Sequence, residues 1–570
     1  MRRRLRRGLV VGVVLLAGCA GIPHGGPVHV GRAIPAPGGL GDIDVRVLPA
    51  AAQPSMAPAE IVHGFLRALV NADGDYEIAR TFLTHRAAAG WDAGEGVTTY
   101  DDSGVHIHTT TSTGTTARTL QFTAPQVGAI DGRGNFAPRT GEARASFGLV
   151  RQSGQWRIDR LPGGVMLSTL DAQRAFRPAL VFYLNRAGTT LVPEQVLLRP
   201  TPGVRTALVR ALLGGPGPWL APSVRTGFPS GTELLGNVPV DPTGVAEVNL
   251  SGVVHQASPS QLKALSAQLV WTLRQVSEIS VVRLLADGSP LAVPGVPVNQ
   301  PVSSWRSFNP AAPPVPSVGA FSHGGAWQTV GGDLPGLPDS AAGLTGLAIS
   351  RDAAMLAGLR ARRHGVALVV GRRGDIPAVR LSAQTLTAPT FDPSGTVFVV
   401  ATTGATRTVD AVPTDEPVQH VVADRALLAH PVQQLRLSRD GARVAAVVGR
   451  AGHGRLLIGR VTVKNDTIRF EAFRAALPGA TDIRGVGWDG GDQVVVTAAN
   501  ASGGRELVEV DVDGYGTRTV PTSGLPGPPV DLAATPGRPL LVAAGFSVWR
   551  NNATGGWSRV GIGAEPVYPD

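Results

Sequence analysis

The chain has 570 residues, 43% of them hydrophobic and 16% charged, with 73 glycines and 46 prolines. This excludes a disordered chain and predicts several domains with sizeable cores, built from short elements joined by turns. The net charge of +10 gives nucleic-acid binding little support. Five arginines (Arg2, Arg3, Arg4, Arg6 and Arg7) stand in the first seven residues, and without them the balance falls to about +5.

Those arginines open the chain, and the apolar run Gly8 to Ala17 follows them. As a helix this run would span about 15 Å, half of a bilayer core, so it fits an export signal better than a membrane span. Leu16-Ala17-Gly18-Cys19 comes next and holds the only cysteine, which rules out a disulfide within the chain. The tetrapeptide resembles the bacterial lipobox. That resemblance implies cleavage between Gly18 and Cys19, a diacylglyceryl thioether on the Cys19 sulfur and an acyl group on its amine. It implies a protein held by membrane lipid on the extracytoplasmic face, since two or more acyl chains make a stable anchor. Residues 19–54, rich in proline and glycine, read as a tether that reaches roughly 110 Å when extended.

Residues 55–175 read as an α+β domain. Ile61, Val62, Phe65, Leu66, Leu69 and Val70 follow helical spacing, and a second short helix is expected near Asp75 to Leu83. Strands are expected at Val105–Thr109 and Arg118–Phe122, and a hairpin at Glu142–Arg151 and Gln155–Leu161 through Ser153-Gly154. Helices followed by a curved antiparallel sheet ending in GQWRIDRLP resemble the NTF2-like fold. Residues 178–292 read as a second α+β domain. It has a buried strand (PALVFYLN), a helix from Val204 to Leu213 stopped by Gly214-Gly215-Pro216, and a hairpin pairing Val238 and Val240 with Ala246, Val248 and Leu250. A long helix from Pro259 to Val276 and a final strand complete it. The runs LLGGPGPWL, AEVNLS and LSAQLVWTL resemble the GerMN domain.

After a linker at 293–315, residues 316–570 repeat a strand–turn–strand unit. Its turn positions are Ala353, Gly395, Gly441, Gly491 and Gly537, spaced by 42, 46, 50 and 46 residues. Four strands in each such interval is the spacing of a β-propeller blade. Five blades are visible. A sixth is expected where SVGAFSHGGAWQTV meets SVWRNNATGGWSRVGI, which makes five to six in all. The fold class is therefore multidomain, with two α+β domains followed by an all-β propeller.

Candidate chemistry is sparse. The turns Asp392-Pro393-Ser394-Gly395 and Ser438-Arg439-Asp440-Gly441 carry carboxylates whose recurrence points to turn structure. His106 and His108 share a strand face without a third metal ligand nearby. Arg360, Arg362, Arg363, His364, Arg372 and Arg373 form the one internal basic cluster, suited to an acidic polymer, lipid surface or protein face. No phosphate loop, nucleophile elbow or zinc-type cysteine set is present, so neither a catalytic residue nor a cofactor is expected. The order of parts, together with GQWRIDRLPGGVMLS and the LSAQLVWTLRQ helix, resembles the LpqB family of actinobacterial lipoproteins. The resemblance implies a monomeric accessory protein that binds the extracellular region of the sensor kinase MtrB and modulates the MtrA–MtrB two-component system. The rival expectation is an envelope hydrolase or ligand sensor that uses the propeller channel or the NTF2-like pocket.

Overall fold

The computed structural model describes residues 49–200, 203–312, 316–500 and 502–570. The first domain packs the helix Pro58–Ala68 on a curved sheet ordered Gln155–Arg160, Glu142–Gln152, Ala117–Ile130, Val97–Tyr100 and Val165–Ser168. Ile61, Val62, Phe65 and Leu66 are the buried stripe that the helical spacing predicts. The expected hairpin turns at Ser153 and Gly154, both at positive φ (51° and 78°), as a two-residue hairpin loop requires. The expected second helix is Asp73–Arg80, which begins with three left-handed residues, Gly74 to Tyr76. One pair in this sheet is parallel, Val97–Tyr100 against Val165–Ser168, which the expected antiparallel sheet does not contain.

In the second domain the strand Arg177–Asn185 pairs antiparallel with Leu191–Leu198, while Val245–Leu250 runs parallel to Val281–Ala286. The expected hairpin is reduced to the isolated pairs Val240 with Ala246 and Leu234 with Leu250. The long helix is Pro259–Leu273, started by Ser258, whose Oγ accepts the Gln261 N–H at 3.3 Å, while Gln261 Oε1 accepts the Ser258 N–H at 2.9 Å.

The LSAQLVWTLRQ run owes its pattern to what this helix covers. One edge of Arg177–Asn185 has no strand partner beside Leu180 and Phe182. Gln268 Nε2 donates to the Phe182 carbonyl (2.8 Å), and its Oε1 accepts the Gly227 N–H (2.7 Å). Gln275 grips the Leu180 N–H and C=O at 2.9 and 2.6 Å, and Thr272 Oγ1 accepts the Phe182 N–H at 3.3 Å. Three polar side chains at i, i+4 and i+7 thus satisfy a buried strand edge that would otherwise leave backbone groups dry and unpaired.

The remaining described residues form six blades. From the axis outward, the first is Ala564–Val567, Gly319–His323 and Ala326–Val330, and the second Thr345–Ile349, Met355–Arg362, Gly365–Arg372 and Ala378–Ala383. The third is built on Thr390–Phe391, Val397–Thr403, Thr406–Val412 and Gln419–Ala423. The fourth is Val432–Leu437, Arg443–Val448, Arg455–Lys464 and Thr467–Ala475, and the fifth Thr481–Trp488, Gln493–Ala499, Arg505–Asp511 and Thr517–Val520. The sixth is Asp531–Ala533, Leu541–Ala544, Ser547–Asn551 and Trp557–Ile562. The six innermost strands touch in a closed ring. Closure differs from the expected pairing. The stretch SVWRNNATGGWSRVGI stays in its own sixth blade, and the strand Ala564–Val567 crosses over to pair with Gly319–His323.

Gln268→Leu keeps the helix apolar but strips the Phe182 carbonyl and the Gly227 N–H of their partners. The expected cost is about 2–4 kcal/mol. A lowered urea midpoint and faster hydrogen exchange at Gly227 would show it, and an unchanged Gly227 amide would refute it.

Candidate functional site

The chemistry-bearing groups of this protein converge where the three domains meet, not at any position that sequence patterning singles out. The strand Leu191–Leu198 of the second domain supplies the contacts in succession. The Pro193 carbonyl accepts a hydrogen bond from Arg443 Nη2 (2.5 Å), and Gln195 Nε2 donates to Asp513 Oδ2 (3.2 Å). The Leu197 N–H donates to the Gly134 carbonyl in the first domain (2.8 Å). Asn185, on the neighbouring strand, donates to the Asp440 carbonyl at 3.3 Å. Arg443 is only 2% exposed. Besides Pro193 it reaches the Gly491 carbonyl (2.9 Å) and the Asp440 carboxylate (3.4 Å), so one guanidinium ties two blade turns to the second domain.

Trp219 makes a second tie. Its indole N–H donates to the Ala472 carbonyl (2.8 Å), its own carbonyl accepts from Arg460 (2.7 Å), and the Arg474 guanidinium lies 4.2 Å from its ring centroid. The first domain reaches the propeller through Phe136, edge-on to Tyr515 with centroids 5.3 Å apart.

These contacts rim a cavity of about 700 Å³, walled by the first domain's sheet, the strand Leu191–Leu198, Trp219 and the fifth blade. Val97, Ile130, Phe136 and Met166 give it an apolar side, and Glu194, Arg443, Arg474 and Asp513 a charged one. Burial raises the Glu194 carboxyl, against a hydrogen bond from the Gly217 N–H and the charges of Arg443 and Arg474. Burial also pushes the Asp513 carboxyl up to about 7, opposed by the Tyr515 N–H and by Arg474. Burial, reinforced by Asp511, pushes Asp492 up to about 6. The Arg474 guanidinium is lowered to about 10, chiefly by burial. The junction thus holds more carboxyl groups than cations in a dry setting.

The sequence-based candidates fall elsewhere. Gly18 and Cys19 lie outside the described residues. Asp392 and Asp440 are turn residues: Asp392 Oδ1 accepts the Ser394 and Thr396 N–H groups (both 2.9 Å), and Asp440 Oδ1 accepts that of Ala442 (2.8 Å). Ala353, Gly395, Gly441 and Gly537 have positive φ, as the turn requires, but Gly491 does not. Its lack of a side chain has another cause, because a Cβ there would sit 2.7 Å from Cγ of Pro193. His106 and His108 are both solvent-exposed. Among the described residues no group of three or more His, Cys, Asp or Glu side chains is placed to hold a metal. The basic cluster is split. Arg362, Arg363 and His364 sit at one end of the hairpin Met355–Arg372, while Arg372 and Arg373 sit at the other. The propeller channel, lined by Arg436, Arg439, Trp488 and Asp570 among others, leaves only about 30 Å³. That is room for a water or two and not for a substrate. Among the described residues no helix is long and apolar enough to cross a membrane.

Architecture and junction together define a class: a propeller scaffold with two α+β modules locked onto one of its faces. Residues 51–173 match the family described as "Lipoprotein LpqB, N-terminal domain", residues 180–292 "Sporulation and spore germination", and residues 324–569 "Lipoprotein LpqB beta-propeller domain". Lipoprotein LpqB of Thermobifida fusca is 31% identical over 98% of this chain and 97% of its own length, and that of Mycobacterium leprae 26% over 98% and 97%. Lipoprotein LpqB of Cutibacterium acnes is 37% identical over 53% of this chain and 50% of its own. The chain belongs to the LpqB lipoprotein family. Among solved structures, TolB from Acinetobacter baumannii superposes with a TM-score of 0.35 at 13% identity, covering 56% of this chain and 87% of that one. The first GerMN domain of GerM from Bacillus subtilis does so with a TM-score of 0.19 at 23% identity, covering 22% and 94%.

Two outcomes test the junction. Gly491→Ala forces the fifth-blade turn away from Pro193, and the expected result is separate melting of propeller and α+β domains with faster proteolysis of the 309–318 connection. A single unchanged transition would show that the close approach carries no weight. For Asp513, the unfolded carboxyl titrates near 4 and the folded one near 7. Between about pH 4 and about pH 7 the folded state keeps a proton that the unfolded chain has lost, so stability falls as pH rises through that window. Asp513→Asn should flatten this dependence and raise the melting temperature above about pH 7; an undiminished slope would reject the assignment.

Proposed function

We propose that this protein is a lipid-anchored, extracytoplasmic accessory protein that binds and modulates a membrane sensor kinase, MtrB of the MtrA–MtrB system, in envelope homeostasis and cell division. The observation that carries the reading is full-length similarity to proteins named as lipoproteins, joined to the Leu16-Ala17-Gly18-Cys19 signal in this sequence. In this reading Cys19 carries the lipid and the chain works as a monomer. The folded part is a binding body, not a catalyst. Three domains fastened into one unit offer the broad, preorganised surface that protein recognition favours, and the channel has no room for a substrate.

A second reading rests on the junction cavity. At about 700 Å³ it lies within the size range of small-molecule sites, and a ligand there would bridge all three domains and report its presence through their mutual order.

Two measurements test the main reading. Cys19→Ala should move the protein from the membrane fraction to the soluble one, or leave it as the unprocessed precursor; normal processing with full membrane retention would refute the anchor. The chain from Ala20 onward should bind the isolated extracellular region of the kinase, and no binding at high micromolar concentration with both proteins folded would refute the partner.

A further inference from the structure

The propeller has two faces of opposite chemistry. In the second to sixth blades the turn after the innermost strand, and the turn between the third and fourth strands, lie on the side of the α+β domains. Acids outnumber bases in these turns: Asp352, Asp392, Asp415, Asp440, Asp492 and Asp513 stand there beside Arg351, Arg373, Arg439 and Arg538, so this near face is on balance acidic. The turn between the second and third strands of each blade emerges on the far face, together with the connections that lead to the next blade.

The far-face loops read differently. They carry Arg362 and Arg363 in the second blade, Arg425 before the fourth and Arg450 within it, all exposed. None of these four forms an ion pair among the described residues. His323, His364, His430 and His453 lie on the same loops and are also exposed. Three of the acids that border them are engaged. Asp424 accepts the Ala472 N–H at 2.5 Å, Asp482 pairs with Arg484 and Arg505, and Glu565 accepts the Gly346 N–H at 2.9 Å.

One apolar residue stands out of this basic surface. Phe546 occupies the turn between the second and third strands of the sixth blade and is 94% exposed. Its φ is 61°, in the left-handed region, where a bulky side chain is strained and glycine is not. Ile562, 55% exposed, stands on the adjoining strand end, where the Gly563 N–H donates to the Phe546 carbonyl. Water gives no reason to hold an aromatic ring in a costly turn at full exposure, whereas an interface does.

We propose that the far face of the propeller docks on an anionic lipid bilayer. Phe546 and Ile562 enter the headgroup boundary, and Arg362, Arg363, Arg425 and Arg450 meet the lipid phosphates. The charge complementarity and the single protruding ring fit an anionic lipid surface better than a peptide or a folded partner. The acidic near face and the two α+β domains then point away from the membrane. The thirty-one residues from Cys19 to Pro49 permit this orientation, since they can span up to about 100 Å.

The test is sedimentation of the chain from Ala20 onward, without lipid, with vesicles of phosphatidylcholine alone or mixed equally with phosphatidylglycerol. Binding is expected only to the mixed vesicles and should weaken with salt. Arg362→Ser with Arg363→Ser should lower partition about 30-fold. Phe546→Gly should lower it about tenfold while leaving the melting temperature unchanged or higher, which separates a lost contact from a lost fold. Arg538→Ser, on the near face, should change nothing. Equal partition of all variants, or no sedimentation with mixed vesicles at low salt, would overturn the proposal. So would binding to the kinase region that depends on Arg362 and Arg363 without vesicle binding, because that result gives the face to a protein. Kinase binding that is independent of these residues leaves the accessory reading standing whichever way the vesicles answer.

Discussion

The arrangement of this protein depends on one buried cation. Arg443 lies where a strand of the second domain, a turn of the fourth blade and a turn of the fifth meet, and each offers it an oxygen. A guanidinium so far from water is tolerated only when most of its donors are used and a counter-charge is near; both Nη groups of Arg443 are bonded, and its Nε is left without a partner. Asp440 supplies that charge and is itself fixed as the turn residue of its blade. Local turn chemistry therefore sets long-range domain placement. The same carboxylate that shapes a hairpin holds the arginine that holds the neighbouring domain.

Around that point the contacts are few in kind but varied in range. On one strand the Pro193 carbonyl and the Gln195 side chain bond the propeller and the Leu197 N–H bonds the first domain, so the second domain acts as a spacer with bonds on both sides. Trp219 adds area and a cation–π contact, and the raised carboxyls of Glu194, Asp492 and Asp513 add sensitivity to proton concentration. The junction therefore both joins the three domains and carries groups whose protonation can change. Its carboxyls outnumber its cations in a dry setting, whereas the apolar side chains of the three cores carry no proton to exchange.

The sequence was most readable where physics repeats. Most blade turns recur because they need a residue at positive φ, as at Gly395, Gly441 and Gly537, and at Gly395 and Gly441 an Asp acceptor as well. The helix stripe from Ile61 to Leu66 was equally plain. The closing strand Ala564–Val567 was not, since four residues without a turn of their own leave no periodic trace. Arg443 was hidden among fifty arginines, although one signal was present. Two residues after the turn position the other blades carry Met355, Val397, Gln493 and Pro539, and this one alone carries a charge. Gly491 kept the repeat for a reason other than its φ, which no pattern could separate. The basic cluster was close in sequence and divided in space, because a hairpin eight residues long carries its two ends to opposite faces.

The crossing of Ala564–Val567 into the first blade also sets an order of events in time. The innermost strand of that blade lies more than two hundred residues after its partner Gly319–His323, so the ring cannot close until nearly the whole chain has been made. Contacts of such separation form slowly. The two α+β domains, complete by residue 301, can fold while the propeller is still an open arc of hairpins with unpaired edges. The early domains already carry the strand Leu191–Leu198, the surface that the fourth and fifth blades meet in the finished molecule. Seen this way, the junction is a template for assembly as well as a bond in the finished molecule.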